Sequence, residues 1–445
     1  MSEQINPRSL VVDILLAVNR DGEFSHIAVR GMLDKYRYLP RRDRAFVKRV
    51  SEGTIERQIE LDYIIHQFSK TKVNKMKPVI RAILESGVYQ LFYMDSVPDS
   101  AVCNEAVKLA GKRGLGGLKS FVNGVLRNIA RNREKILWPS AEKDPVLAAS
   151  VCYSMPEWIV RRFFGQFGQE RSIHILEAFL NKHSTCVRAD IRRETPETVR
   201  HSLEARGITV SPVKGMPEAF YIDGYDALDE IPEFENGILY VQDVSSMMVA
   251  KLALEGRSDR DLFVLDVCAA PGGKSIHMAQ LLGSAGVVEA RDLTEYKVEM
   301  IRENIERCGV SNLRTKVQDA AEYDSSVEAA ADIVIADLPC SGLGVIGSKT
   351  DIKYKAEPEK IEELAELQRR ILSVVRRYVK PGGILMYSTC TITEEENQNN
   401  TAWFLESFPE FSLKEERQYL PDEGCDGFYI AKMEKKAAAA QDKEI

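Results

Sequence analysis

The chain has 445 residues, 44% hydrophobic and 29% charged, the composition of an ordinary water-soluble protein with room for roughly three domains. No run approaches the ~18 apolar residues of a membrane span, and the opening M-S-E-Q-I-N-P-R lacks the basic-then-apolar pattern of a secretory signal. The eight cysteines (103, 152, 186, 268, 308, 340, 390 and 425) include no C-x-x-C, which argues against structural zinc and a secreted disulfide framework and for a reducing cytoplasm.

The net charge of -7 hides an asymmetry. Residues 1–140 hold 24 Lys+Arg against 15 Asp+Glu, a net +9, whereas the remainder holds 36 against 52, a net -16. A basic first portion on an acidic chain points to a polyanionic partner, with a merely solvated basic face as the alternative.

Residues 1–138 read as all-helical. Asn6-Pro7 suits a helix start, and Leu10, Val11, Ile14, Leu15 and Val18 fall on one face. Ser25 is expected to cap a second helix, and Arg41 to Arg49 opens a longer basic one. Further amphipathic segments lie at 79–93, 101–110 and 121–129, with a basic glycine loop at 111–117. The runs D-R-A-F-V-K-R-V-S-E-G-T and F-V-N-G-V-L-R-N-I resemble the NusB-type RNA-binding fold, which implies RNA contact here.

Residues 139–235 read as a linker (Trp138-Pro139-Ser140, Asp144-Pro145) followed by a small α/β subdomain. Its Arg188, Arg192, Arg193 and Arg200 are candidates to line a nucleic-acid path, though solvated charge is the commoner explanation. From 236 to 432 strands and helices alternate, as a doubly wound sheet requires. A helix is expected at 359–379, stopped by Pro381-Gly382-Gly383, and antiparallel edge strands are expected near Phe411 and at 427–431. Residues 433–445 read as a disordered tail.

The informative stretch is D-L-F-V-L-D-V-C-A-A-P-G-G-K-S, at 261–275. An apolar strand, a glycine turn and a helix build a ligand crevice at the carboxyl end of a parallel strand. The stretch nearly reads as a phosphate loop, but Cys268 replaces the first glycine and Pro271 removes a needed N–H. Cys340, in D-L-P-C-S-G, and Cys390, in Y-S-T-C-T, each follow a predicted strand in a polar turn. Strand-end loops share one crevice, so both thiols are expected to face the ligand. Gly342-x-Gly344-x-x-Gly347 also matches a dinucleotide fingerprint, but no apolar helix follows it.

Taken together, D-V-C-A-A-P-G-G-K, D-L-P-C-S-G-L-G and Y-S-T-C-T-I-T-E-E-E-N resemble the motifs of the RNA cytosine-C5 methyltransferases of the Nol/Nop/Sun family. The resemblance implies a NusB-like all-α domain followed by a Rossmann-like methyltransferase domain. It implies S-adenosylmethionine as cofactor, with Cys268, Ala269, Ala270, Pro271, Gly272, Gly273 and Lys274 cradling its methionine part. An acid after the second strand should hold the ribose: Asp292, with Glu289 as fallback, because Arg291 stands in the acid's ungapped place. Asp319 should lie near the adenine and Asp337 near the reacting centre. Cys390 is implied as nucleophile and Cys340 as the aid to product release. The implied partner is small-subunit ribosomal RNA, unassembled or partly assembled and modified at the position-967 type of cytosine, with a monomeric enzyme and no metal or membrane. Another ribosomal or transfer RNA site, a DNA-type enzyme using the thiol after Pro339, a phosphate-loop NTPase and a non-catalytic RNA scaffold are the alternatives.

Overall fold

Asn6 and Pro7 begin the first helix, Pro7–Asn19. The Asn6 side chain accepts the Arg8 N–H at 2.9 Å, and Pro7 sits in the first turn, where a missing N–H costs nothing. The computed structural model describes residues 5–181 and 184–437. It continues with helices Ser25–Lys35, Arg41–Glu56, Gln58–Phe68, Pro78–Tyr93, Asp99–Lys112 and Lys119–Arg131, which share one core including Ile14, Leu15, Val47, Ile64, Ile83 and Leu126. Ser25 is the first residue of its helix rather than its cap; its Oγ donates to Asp351 at 2.5 Å. Among the described residues no helix is long and apolar enough to cross a membrane.

The chain forms two units, residues 1–181 with Ile346–Lys355, and residues 182–345 with 356–445. The helical part therefore does not end at 138. Asp144, expected in a linker, caps helix Pro145–Cys152 by accepting the Leu147 N–H at 2.9 Å, and helices Glu157–Phe167 and Gln169–Ala178 follow. Ile346–Lys355 joins this unit through polar anchors. Besides the Ser25–Asp351 bond, Lys353 Nζ donates to the Glu56 carbonyl and Lys355 Nζ to the Glu23 carbonyl, each at 2.8 Å.

The second unit holds two sheets. β1 (Thr185–Ala189), β2 (Thr209–Val213), β3 (Met216–Asp223) and β4 (Leu239–Val241) form an antiparallel sheet in the order β2-β3-β1-β4. β4 lies beyond the expected boundary at 235, so the small sheet reaches past it, and both sheets lie in one unit. Arg188 leaves the proposed nucleic-acid path. It is 2% exposed and donates to Gln242 and Gln280, and burial lowers its pKa to about 10.

β5 (Phe263–Asp266), β6 (Val287–Asp292), β7 (Leu313–Val317), β8 (Ala331–Asp337), β9 (Val379–Thr389), β10 (Phe411–Tyr419) and β11 (Phe428–Lys435) form the larger sheet, ordered β10-β11-β9-β8-β5-β6-β7. β9, β8, β5, β6 and β7 run parallel; β11 and β10 are added antiparallel. Val264, Ile333, Ile335 and Met386 pack on one face, and Leu265, Val334, Ala336 and Tyr387 on the other. Burial on both faces is why these strands read as unbroken apolar runs.

Three expectations change here. Helix Pro358–Val375 ends four residues early, and Pro381-Gly382-Gly383 lies inside β9, where Gly382 takes φ 77°. Of the two strands expected at an edge, β10 is one and β11 is not, lying between β10 and β9. β11 runs to Lys435, so the tail does not begin at 433, and residues 438–445 lie outside the described residues.

Candidate active site

β5 and β8 are neighbours, and successive crossovers leave this point in opposite directions, so a crevice opens beyond their carboxyl ends. Four chemistry-bearing segments end there: Asp266 of β5, Asp292 of β6, Asp337 of β8 and Thr389 of β9.

The turn after β5 is tightly fixed. Ala269 N–H donates to the Arg291 carbonyl at 2.8 Å, Gly272 N–H to the Ala269 carbonyl at 2.7 Å, and the Ala270–Pro271 bond is cis. Gly272 has φ 104°, open to glycine at little cost, and precedes helix Gly273–Leu282. A Cβ on Gly272 would also stand 3.3 Å from Ile301 Cγ2. Burial pushes the Cys268 thiol up, with Asp292 and Asp266 adding to the effect, so it is a neutral lining group. At the foot of the turn Asp266 is 1% exposed; its Oδ2 accepts from Ser275 at 2.5 Å, while Oδ1 has no hydrogen-bond partner. Burial raises its pKa to about 7, with Ser275 opposing.

Asp292 lies against this turn. Its Oδ2 accepts the Ala270 N–H at 2.9 Å, and Oδ1 accepts from Leu293 N–H at 2.8 Å and pairs with Lys297 at 3.0 Å. Glu289, the fallback, is committed elsewhere, accepting Arg291 Nε and Arg314 Nε, each at 2.7 Å. Arg291 is buried between Glu289 and Asp324. Asp319, half-buried after β7, accepts the Ala321 N–H at 2.8 Å. An orphaned buried acceptor, a positive-φ glycine and a carboxylate at the next strand's end suit a ligand with an amino group and ribose hydroxyls. They fit S-adenosylmethionine. Among the described residues no His/Cys/Asp/Glu cluster suits a metal ion.

Lys274, grouped in the sequence with the cofactor turn, reaches across the crevice. Its Nζ contacts Asp337 Oδ2 at 2.6 Å and stands 5.1 Å over the Phe428 ring. Burial alone would lower its pKa; the Asp337 carboxylate outweighs this and raises it, so the ammonium stays charged. Asp337 Oδ1 accepts from Ser388 Oγ at 2.8 Å.

Beside this pair, Cys340 Sγ and Cys390 Sγ are 3.2 Å apart. Both are reduced and half-buried. The neighbouring thiol, then burial, hold Cys340 well above the usual thiol range. The structure thus brings together the thiols, Asp337, Lys274, the turn and Asp292. Sequence reasoning missed Glu396 and Asn397, which lie behind the thiols. Their signal was a three-glutamate run in which Glu394 is exposed, Glu395 intermediate and Glu396 buried.

Comparison with known proteins finds matches along most of the chain. Residues 252–434 match the family model for 16S rRNA methyltransferase RsmB/F, 5–131 the NusB family, and 155–227 the RsmF/B-like ferredoxin-like domain. "Probable ribosomal RNA small subunit methyltransferase B" of Bacillus subtilis (strain 168) is 34% identical over 96% of this chain and 98% of its own. The chain belongs to the RsmB/F family of ribosomal RNA methyltransferases. It is accordingly an S-adenosylmethionine-dependent RNA methyltransferase with an N-terminal NusB domain. Two solved structures share this fold, one along nearly the whole chain and one over part of it. PH0851 has TM-score 0.82 at 24% identity over 98% of this chain and all of its own. NSun6 from Pyrococcus horikoshii, solved with SFG, has TM-score 0.58 at 22% identity over 64% of this chain and 99% of its own.

Proposed function

We propose that this enzyme methylates C5 of a cytosine in small-subunit ribosomal RNA through a covalent Cys390 adduct, acting as a cytoplasmic monomer. The observation that carries the reading is the thiol pair, 3.2 Å apart beside the Lys274–Asp337 ion pair. Cytosine C5 is a poor nucleophile, and one thiol is needed to activate it and another group to help undo the activation.

Bound S-adenosylmethionine supplies the electrophilic methyl group, held by residues 268–274, with Asp292 toward the ribose and Asp319 toward the adenine. Cys390 adds as thiolate to C6, which makes C5 enamine-like and able to attack. Asp337, held by Lys274 and Ser388, hydrogen-bonds the N3/N4 edge of the base and favours the protonated adduct. After methyl transfer water takes the C5 proton, the electron pair left behind forms the C5–C6 double bond as the C6–S bond breaks, and Cys340 assists by giving its proton to the departing Cys390 sulfur. A neutral Cys340 thiol suits that later role better than the first attack. The base must leave its stack to reach the crevice, which is cheap in looped or partly assembled RNA.

Mapping 5-methylcytosine in ribosomal RNA from a strain lacking the gene tests this reading. One methylcytosine, at position 967 of the small-subunit RNA, should vanish and return when the purified enzyme and cofactor are added. An unchanged methylcytosine map, or a lost modification on another base, would overturn it.

A further inference from the structure

The Cys340 and Cys390 loops are separated by 50 residues, yet their side chains meet, so something must hold the loops in register. The groups that do so converge on Glu396, whose side chain has 0% exposure. Its Oε1 accepts the Ser341 N–H at 2.8 Å and Gln368 Nε2 at 3.1 Å. Its Oε2 accepts Ser341 Oγ at 2.5 Å and Thr393 Oγ1 at 2.8 Å. Four donors on one carboxylate oppose the cost of burying it, and burial still holds its pKa above the usual carboxylate range.

Ser341 follows Cys340, and Thr391 follows Cys390. Their hydroxyls are 2.8 Å apart. Because Ser341 Oγ gives its proton to Glu396, Thr391 is the donor in that pair. Gln368 extends the hold to the other side of Cys340, donating to the Pro339 carbonyl at 2.8 Å. The next residue does the same for the second loop. Asn397 accepts Thr389 Oγ1 at 2.5 Å and donates to the Thr391 carbonyl at 3.1 Å, gripping both neighbours of Cys390. Tyr387 OH in turn donates to the Glu396 carbonyl, fixing the dipeptide to β9.

We infer that Glu396 is a positioning residue of the methyl-transfer reaction: through Ser341 and Thr391 it ties the two thiol loops together, with Asn397 holding the Cys390 side. This rests on the two-thiol reading above. The effect of Glu396 passes through the residue after each cysteine. A glutamine in its place would present an NH2 toward hydroxyls that already donate, so the tie opens without loss of volume.

The test is Glu396→Gln in the full-length chain, with Ser341→Ala as the variant that removes the cross-tie but leaves the carboxylate. The first readout needs no methyl transfer. Diamide oxidises the two thiols to a disulfide while being reduced to the hydrazine, and the Cys340–Cys390 linkage is followed by peptide mass mapping. The wild-type thiols should cross-link readily and both variants more slowly. The second readout is turnover. A displacement of the order of 1 Å should lower kcat about 100-fold with little change in RNA KM, and the RNA adduct should accumulate because Cys340 no longer reaches the leaving thiol. Ser341→Thr should restore both readouts toward wild type. Unchanged cross-linking and kcat in a folded Glu396→Gln chain would overturn the inference; if that variant does not fold, Ser341→Ala decides in the same way. Slowed cross-linking with no adduct in any active chain would leave Glu396 as the tie and refute the adduct mechanism instead.

Discussion

Gly344→Ala offers a sharp test of how closely the crevice is packed. A Cβ at this position would lie 2.0 Å from the Gly427 carbonyl oxygen and 2.9 Å from that of Cys390. One backbone bond joins the two glycines, Gly427 N–H to the Gly344 carbonyl at 2.8 Å, and Gly344 N–H donates to the Cys390 carbonyl at 3.1 Å. Ordinary contact begins near 3.4 Å, so the β11 entrance must withdraw by more than an ångström. Losing two hydrogen bonds costs about 1 kcal/mol each, and overpacking adds about 1–3 kcal/mol, together about 3–5 kcal/mol. Hydrogen exchange by mass spectrometry reads this locally: peptides spanning 340–346 and 425–430 should lose roughly two to four decades of protection. Gly165→Ala is the control, since nothing lies within 4 Å of its Cβ inside helix Glu157–Phe167, and it should stabilise by about 1 kcal/mol. Wild-type protection in Gly344→Ala would refute the reasoning.

Gly272→Val forces a branched residue to φ 104° at about 1–3 kcal/mol of strain. Calorimetry should show weakened S-adenosylmethionine binding, and equal affinity, or preference for ATP, would contradict the turn's assignment. Asp266→Asn should change pH dependence. The folded carboxyl keeps its proton to about pH 7 while the unfolded one releases it near 3.8, so wild-type stability falls as pH rises through that window. The variant should gain up to about 4 kcal/mol over wild type between pH 4 and 7 in urea titrations, and a constant difference would exclude the buried-acid account. Arg42→Glu with Lys48→Glu, exposed on helix Arg41–Glu56, should weaken RNA binding and flatten its salt slope by roughly one per lost phosphate contact. An unchanged slope would remove that helix from the RNA surface.

The strand–turn–helix at β5 and the thiols after β8 and β9 were legible because each is local: an apolar run, a turn signal, a polar residue at a strand's end. That Asp292 meets the β5 turn and Glu289 does not was legible only in part, since alternation along β6 assigns faces but not that Arg314 and Arg291 take Glu289. The boundary of the helical unit was not legible. Ser25 and Asp351 are 326 residues apart, and periodicity reports which face is buried, never what covers it. Arg188 misled for the same reason, because an arginine on an alternating strand carries no mark of a buried Gln242 partner. Glu396 was hidden inside a run of like residues, two of which stay nearer the solvent.

The central claim is that the two thiols divide the work. The direct measurement is denaturing electrophoresis of labelled RNA with Cys390→Ala and Cys340→Ala in the presence of cofactor. Cys340→Ala should attack, methylate and stall as a band that survives denaturation, while Cys390→Ala should bind RNA and cofactor but give no such band. A stable adduct with Cys390→Ala and none with Cys340→Ala would contradict the assignment of nucleophile and release group.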